Sequence, residues 1–90
     1  MEFEWDPGKA DRNWRKHCVS FHEAATVFDD PLAITYADPE HSDEEERFLT
    51  FGHSGNGRFL VVSQTDREDR TRIISTRQGT RKERTSHENT

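Results

Sequence analysis

The chain contains a single cysteine, Cys18, among its 90 residues, so no internal disulfide can staple it. That excludes the disulfide-framed class of small secreted domains and fits a reducing compartment. No apolar run approaches the roughly 18–20 residues that span a bilayer. The opening Met1-Glu2-Phe3-Glu4-Trp5-Asp6 lacks the basic-then-apolar pattern of a secretory signal. A cytoplasmic protein with no membrane contact is therefore expected. Ligand pairs at zinc-site spacing are missing, because His17 and Cys18 are adjacent and point apart, and the acidic stretch 38–46 lacks the glycine of a calcium loop. Neither a metal nor any other cofactor is expected. The glycines of Gly55-Asn56-Gly57 precede a strand rather than a helix, which excludes a phosphate-binding loop, and no nucleophile elbow occurs.

Charge is plentiful. Net charge is -5 and charged residues make up 34%, but the signs are segregated. Residues 38–66 carry seven acidic against two basic side chains, whereas residues 67–90 carry seven basic against four acidic. A chain this short buries only about 60% of its extended surface, so a single domain over residues 1–90 with a small core is expected, fraying at 86–90.

Met1, Phe3 and Trp5 alternate with glutamates and predict a strand. Asp6-Pro7 supplies a helix cap and a first-turn proline. The helix runs to about His17, with Ala10, Trp14 and His17 on its apolar face and Lys9, Asn13 and Lys16 on a polar stripe. Ser20-Phe21-His22-Glu23 forms a capping box that opens a short second helix, stopped by Asp29-Asp30-Pro31. Leu32, Ile34 and Tyr36 alternate as a second strand. Residues 47–51 and 58–65 predict a hairpin whose Asn56-Gly57 takes positive φ angles. Residues 70–77 add a partner strand, and Thr80-Arg81-Lys82-Glu83 caps a basic final helix. The order β-α-α-β-β-β-β-α predicts an α+β fold, with an antiparallel sheet of four to five strands, both early helices on one face, and the other face free for polar function.

The residues left for chemistry are Arg and Lys with His and Glu in reach, the set that handles a phosphodiester without metal. RNA cleavage through its 2′-hydroxyl needs a base, cations for the charge growing on phosphorus oxygens, and an acid for the departing 5′-oxygen. Arg serves only the second task, because it stays protonated. Pairing of the arginines with neighbouring carboxylates, with no catalysis, fits the same composition.

The run Phe3-Glu4-Trp5-Asp6-Pro7, with Lys9, Asn13, Lys16-His17, Val19-Ser20-Phe21 and Phe28-Asp29-Asp30-Pro31, resembles the BrnT toxins of bacterial type II toxin-antitoxin systems. Arg72-Ile73-Ile74-Ser75-Thr76-Arg77 with Thr80 and Glu83-Arg84 resembles the closing motif of that family. The resemblance implies a RelE-like fold and an endoribonuclease that inhibits translation. It also implies a BrnA-like ribbon-helix-helix antitoxin, joined with the toxin in a heterotetramer that contacts DNA only through the antitoxin. On this resemblance Arg72 and Arg77 are the expected phosphate contacts. Glu83 reads as a base or as the capping residue. His17 and His87 read as an acid or base, or as packing and tail residues. Arg81 and Arg84 are expected to bind the RNA backbone or an acidic surface of the partner, and Lys9 and Lys16 to add cationic contacts to the RNA. A non-catalytic binding module and an inactive toxin within a repressor complex remain alternatives. Cys18 stands where family members commonly carry glycine, and His87 near a common tyrosine.

Overall fold

The computed structural model describes residues 1–90. The elements are β1 (Glu2–Glu4), α1 (Pro7–His17), α2 (Phe21–Thr26) continued by a 3₁₀ turn (Val27–Asp29), β2 (Ile34–Ala37), β3 (Phe48–His53), β4 (Phe59–Arg67), β5 (Arg70–Gln78) and α3 (Arg81–Glu88). A further 3₁₀ turn, Pro39–His41, lies in the acidic loop. The sequence order of elements is the expected one. The sheet runs β1-β5-β4-β3-β2, with β2 to β5 an antiparallel meander. β1 departs from the all-antiparallel expectation and pairs parallel to β5, Glu2 to Glu4 against Arg70 to Arg72. No hairpin ties β1 to a neighbour, since two helices follow it, so it is free to add to the open edge of β5.

The core lies between the sheet and the first two helices. Leu60, Val62 and Ile73 point toward Val19, Phe21, Ala24 and Val27, all essentially inaccessible to solvent. Their register depends on a bulge in β5. Ser63 pairs with Ser75 but Gln64 pairs with Ile73, leaving Ile74 as an extra residue. Strict alternation would turn Ile73 away from the core. The bulge turns it inward and also returns Arg72 to the face that Arg77 shares, since their partners Thr65 and Val61 lie four apart on β4.

Two local expectations are corrected. Trp14 is 54% exposed, and the side of α1 facing the sheet is Ala10 and Asn13, with Asn13 buried. The Asn13 amide donates to the Val19 carbonyl at 2.9 Å and accepts from the Thr76 amide at 3.0 Å. Thr76 lies beyond the reach of the short β1, so its edge amide needs a side-chain partner. Glu23, meanwhile, does not close its capping box: the Ser20 hydroxyl accepts from the Glu23 amide, but the carboxylate reaches across to Arg58 and the Ser54 hydroxyl. Those hydrogen bonds, led by the Arg58 guanidinium, hold Glu23 below the usual carboxylate range.

In the 54–57 turn only Gly57 takes positive φ (81°), while Asn56 does not. The Gly57 amide donates to the Ser54 carbonyl at 2.9 Å, a longer loop than a two-residue Asn-Gly turn. Cys18 ends α1 at φ 55°, ψ 36°, the left-handed region, where a side chain costs about 1–2 kcal/mol. Its side chain is exposed and fills no space in the core. Cys18→Gly is therefore expected to stabilise the protein by about 0.5–1 kcal/mol, raising the thermal midpoint by a few degrees. An unchanged or lower midpoint in a melt would contradict this.

Candidate functional site

α3 begins where Gly79 lies flat against Phe59: a Cβ there would come within 2.3 Å of that ring. Thr80 caps the helix, its hydroxyl accepting from the Glu83 amide at 3.1 Å, while the Glu83 carboxylate accepts from the Thr80 amide at 2.8 Å, completing the expected box. The helix continues to Glu88, beyond Ser86 where fraying was expected. His87 sits half-buried on Phe59 (ring centroids 5.2 Å apart) with His53 at 6.3 Å. The final helix is thus placed across the open face of the sheet by Glu83 and His87.

Arg77 stands on that open face. Its Nη1 donates to Glu83 Oε1 at 2.8 Å and its Nη2 to Oε2 at 3.0 Å, a bidentate fork. Nη1 also donates to the Gln78 carbonyl at 3.3 Å, which leaves the Nε proton and one Nη2 proton unused. The guanidinium, on a side chain 41% exposed, is thereby aimed and retains donors for an anion. Arg77 is driven above the usual arginine value, chiefly by its hydrogen bonds to Glu83. Glu83 is correspondingly pulled down to about 2, first by Arg77 and further by the Thr80 amide. A carboxylate that acidic is a weak proton acceptor near neutral pH. Of the two expected roles for Glu83, its geometry matches capping and holding Arg77.

This pair also makes stability depend on acid. The folded value of about 2 lies below the ordinary 4.5, so the stabilisation is fully present above about pH 4.5 and lost as pH falls toward 2. Glu23 and Asp30 are lowered too and act in the same direction. Melts of the wild type are expected to hold level from pH 7 to 5 and fall below. Glu83→Gln should fall less steeply and be weaker at pH 7 by on the order of 1 kcal/mol, given solvent screening at the exposed Arg77. Parallel curves would contradict it.

A recess of about 230 Å³ beside Arg77 is bounded by His17, Leu49, Val61, Ser63 and Ser75. It adjoins, through His17 and Ser75, a shallow groove lined by Lys9, Arg12 and Lys16 of α1 and by the bulged Ile74. The structure therefore brings Lys9, Lys16, His17 and Arg77 to one continuous surface. In the other direction Leu49 leads to a recess under α3 lined by Tyr36, Phe51, Lys82, Glu83 and His87. Arg12, Lys82 and Tyr36 were not singled out in the sequence. Arg12 had a signal, since it falls between Lys9 and Lys16 on the same helical stripe.

Arg72 is not part of this surface. Five residues from Arg77, about 15 Å along the strand, it donates to Glu4 of β1 at 3.0 Å and helps hold that strand. The two arginines share a face but do not converge. Arg81 and Arg84 are exposed on α3 and line none of these recesses, and Arg84 lies 3.9 Å from Glu88. No group of three or more His, Cys, Asp or Glu is placed to hold a metal ion, and no helix is long and apolar enough to cross a membrane.

These features define a small α+β protein whose sheet is covered by two helices on one face and carries an arginine-centred groove on the other. Residues 5–83 match the family model described as the ribonuclease toxin BrnT of type II toxin-antitoxin systems, and the chain belongs to that family. Its fold is similar to the crystal structure of the Brucella abortus ribonuclease toxin BrnT, with a TM-score of 0.67 and 19% identity, over 90% of this chain and 99% of that one. No curated protein matches the chain.

Proposed function

We propose that this chain is a metal-independent endoribonuclease that cuts RNA through the 2′-hydroxyl of the substrate and so inhibits translation. In this reading a BrnA-like antitoxin with a ribbon-helix-helix domain neutralises it in a heterotetramer in the cytoplasm, and DNA is contacted only through that partner. The observation that carries the reading is Arg77, forked onto Glu83 on an open sheet face with donors left over, beside a recess shared with His17. Such a preorganised cation stabilises the charge that grows on the non-bridging phosphate oxygens in the transition state. Glu83 acts as a positioning residue. Proton transfer falls to a histidine: His17 shares the recess of Arg77, and His87 stands on the far side of Glu83. Lys9 and Lys16 lie where the RNA backbone would leave the groove. Arg81 and Arg84 add cationic surface on α3. Arg72 is assigned no step.

The purified, partner-free protein is expected to cut single-stranded RNA in EDTA and to leave DNA of the same sequence intact, because DNA lacks the internal nucleophile. Intact RNA with a folded sample would overturn the proposal. The carboxylate pairing of both Arg72 and Arg77 favours a second reading, a non-catalytic module or inactive toxin that serves in a repressor complex. That reading expects binding without cleavage, and co-expression with the neighbouring reading frame separates the two by whether growth arrest occurs and is relieved.

A further inference from the structure

An apolar recess of about 460 Å³ lies on the open face between α3 and the β2–β3 edge, floored by Tyr36, Leu49 and Phe51. Tyr36 is 49% exposed, although its ring is held edge-on to Phe51 at 5.7 Å between centroids. An aromatic ring that is fixed in orientation yet left open to solvent has a face to offer. The rim is polar: Lys82, Ser86 and Thr90 come from α3 and the residues after it. Glu83, the only side-chain carboxylate on this recess, is already paired with Arg77, so the remaining side-chain charge is the cation of Lys82. Leu49 lines both this recess and that of Arg77, so the two are adjacent. Across the sheet, Tyr36 pairs with Leu49, Leu49 with Ser63 and Ser63 with Ser75, so three strand spacings, about 14 Å between backbones, separate β2 from β5. The Arg77 side chain reaches across that face to Glu83, which itself lines the recess.

We infer that this recess takes an unpaired nucleobase of single-stranded RNA, stacked on Tyr36, next to the phosphate held by Arg77, with Lys82 on the neighbouring phosphate. The occupant is RNA rather than a protein segment because the apolar floor adjoins the recess of Arg77 through Leu49, and the one uncompensated side-chain charge on the rim is positive. Stacking is tolerant of base identity, so Tyr36 contributes affinity and register more than sequence choice. The inference rests on the proposed action on RNA, and its test separates the two.

Binding is measured by fluorescence anisotropy with a 2′-O-methyl RNA oligonucleotide, which cannot be cut. Tyr36→Ala is expected to weaken binding about 10-fold, or about 1.4 kcal/mol, while Tyr36→Phe and Tyr36→Trp retain it. One abasic nucleotide, walked along the oligonucleotide, should weaken wild-type binding by a similar factor at a single position and leave Tyr36→Ala indifferent to that position. Circular dichroism checks that the variants fold, as expected for an exposed ring. Wild-type binding with no Tyr36 effect, or with an abasic penalty that persists in Tyr36→Ala, overturns the inference. Loss of antitoxin binding in Tyr36→Ala with RNA binding intact also overturns it and makes the recess a protein-docking site. Absence of cleavage by a wild type that still shows the Tyr36-dependent abasic effect sinks the nuclease reading alone.

Discussion

Arg77→Ala is expected to lower RNA cleavage by about 100- to 1000-fold while the protein stays folded. That is the loss seen when one preorganised donor to a developing oxyanion is removed. The side chain is 41% exposed and its backbone pairs with Val61, so truncation removes neither core volume nor a ladder bond. Arg77→Lys should recover only part of the rate. An ammonium keeps the charge but cannot hold Glu83 in a two-point fork and still present further donors at a fixed angle. Glu83→Gln distinguishes positioning from proton transfer. A glutamine still fits the capping box and still offers an oxygen to Arg77. The variant should therefore lose no more than about 10-fold and keep the pH profile of the wild type, because a carboxylate near 2 contributes no limb between pH 5 and 9. Single-turnover cleavage across that range is the measurement. Disappearance of a limb in Glu83→Gln would make Glu83 the base, and near-wild-type cleavage by Arg77→Ala would remove the centre of the proposed site.

The second large effect is on stability. Asn13→Ala is expected to cost about 3 kcal/mol, because it strands two buried backbone groups, the Val19 carbonyl and the Thr76 amide, at once. For a domain of this size that lowers the thermal midpoint by on the order of 15 °C. Asn13→Asp is the sharper control: it still accepts from Thr76 but cannot donate to Val19, and it places a charge where Asn13 is only 6% exposed. It should be no better than alanine. Urea titrations with matched slopes give the difference, and a loss below about 0.5 kcal/mol for alanine would mean that water replaces the amide at little cost.

Asn13 also shows where sequence reasoning stops. Ala10, Asn13 and His17 share a helical face as readily as Ala10, Trp14 and His17 do, and hydrophobicity alone favours the tryptophan. What decides is the short β1, which leaves the Thr76 amide at an open edge, and strand length is not written in α1. The elements themselves were legible. Asp6-Pro7, Ser20 and Thr80 mark helix starts with side-chain oxygens that do accept the expected amides. The strands were legible from alternation, but the parallel pairing of β1 was not, since alternation carries no direction. At the site, Arg77 and Glu83 were readable as a cation and a capping carboxylate. Their mutual fork was not, because it depends on how Gly79 and Phe59 turn the chain between them. Glu23 illustrates the converse: a valid local motif whose carboxylate finds a better partner 35 residues away in Arg58.

One strand must meet two demands, an inward isoleucine at one end and an outward guanidinium at the other, and the unpaired Ile74 lies between them. It acts as slack. A chain shorter by one residue at that point would simply straighten, with Ile73 still facing the helices and Arg77 still facing the groove. β5 can therefore vary in length by one residue without choosing between a filled interior and a presented charge.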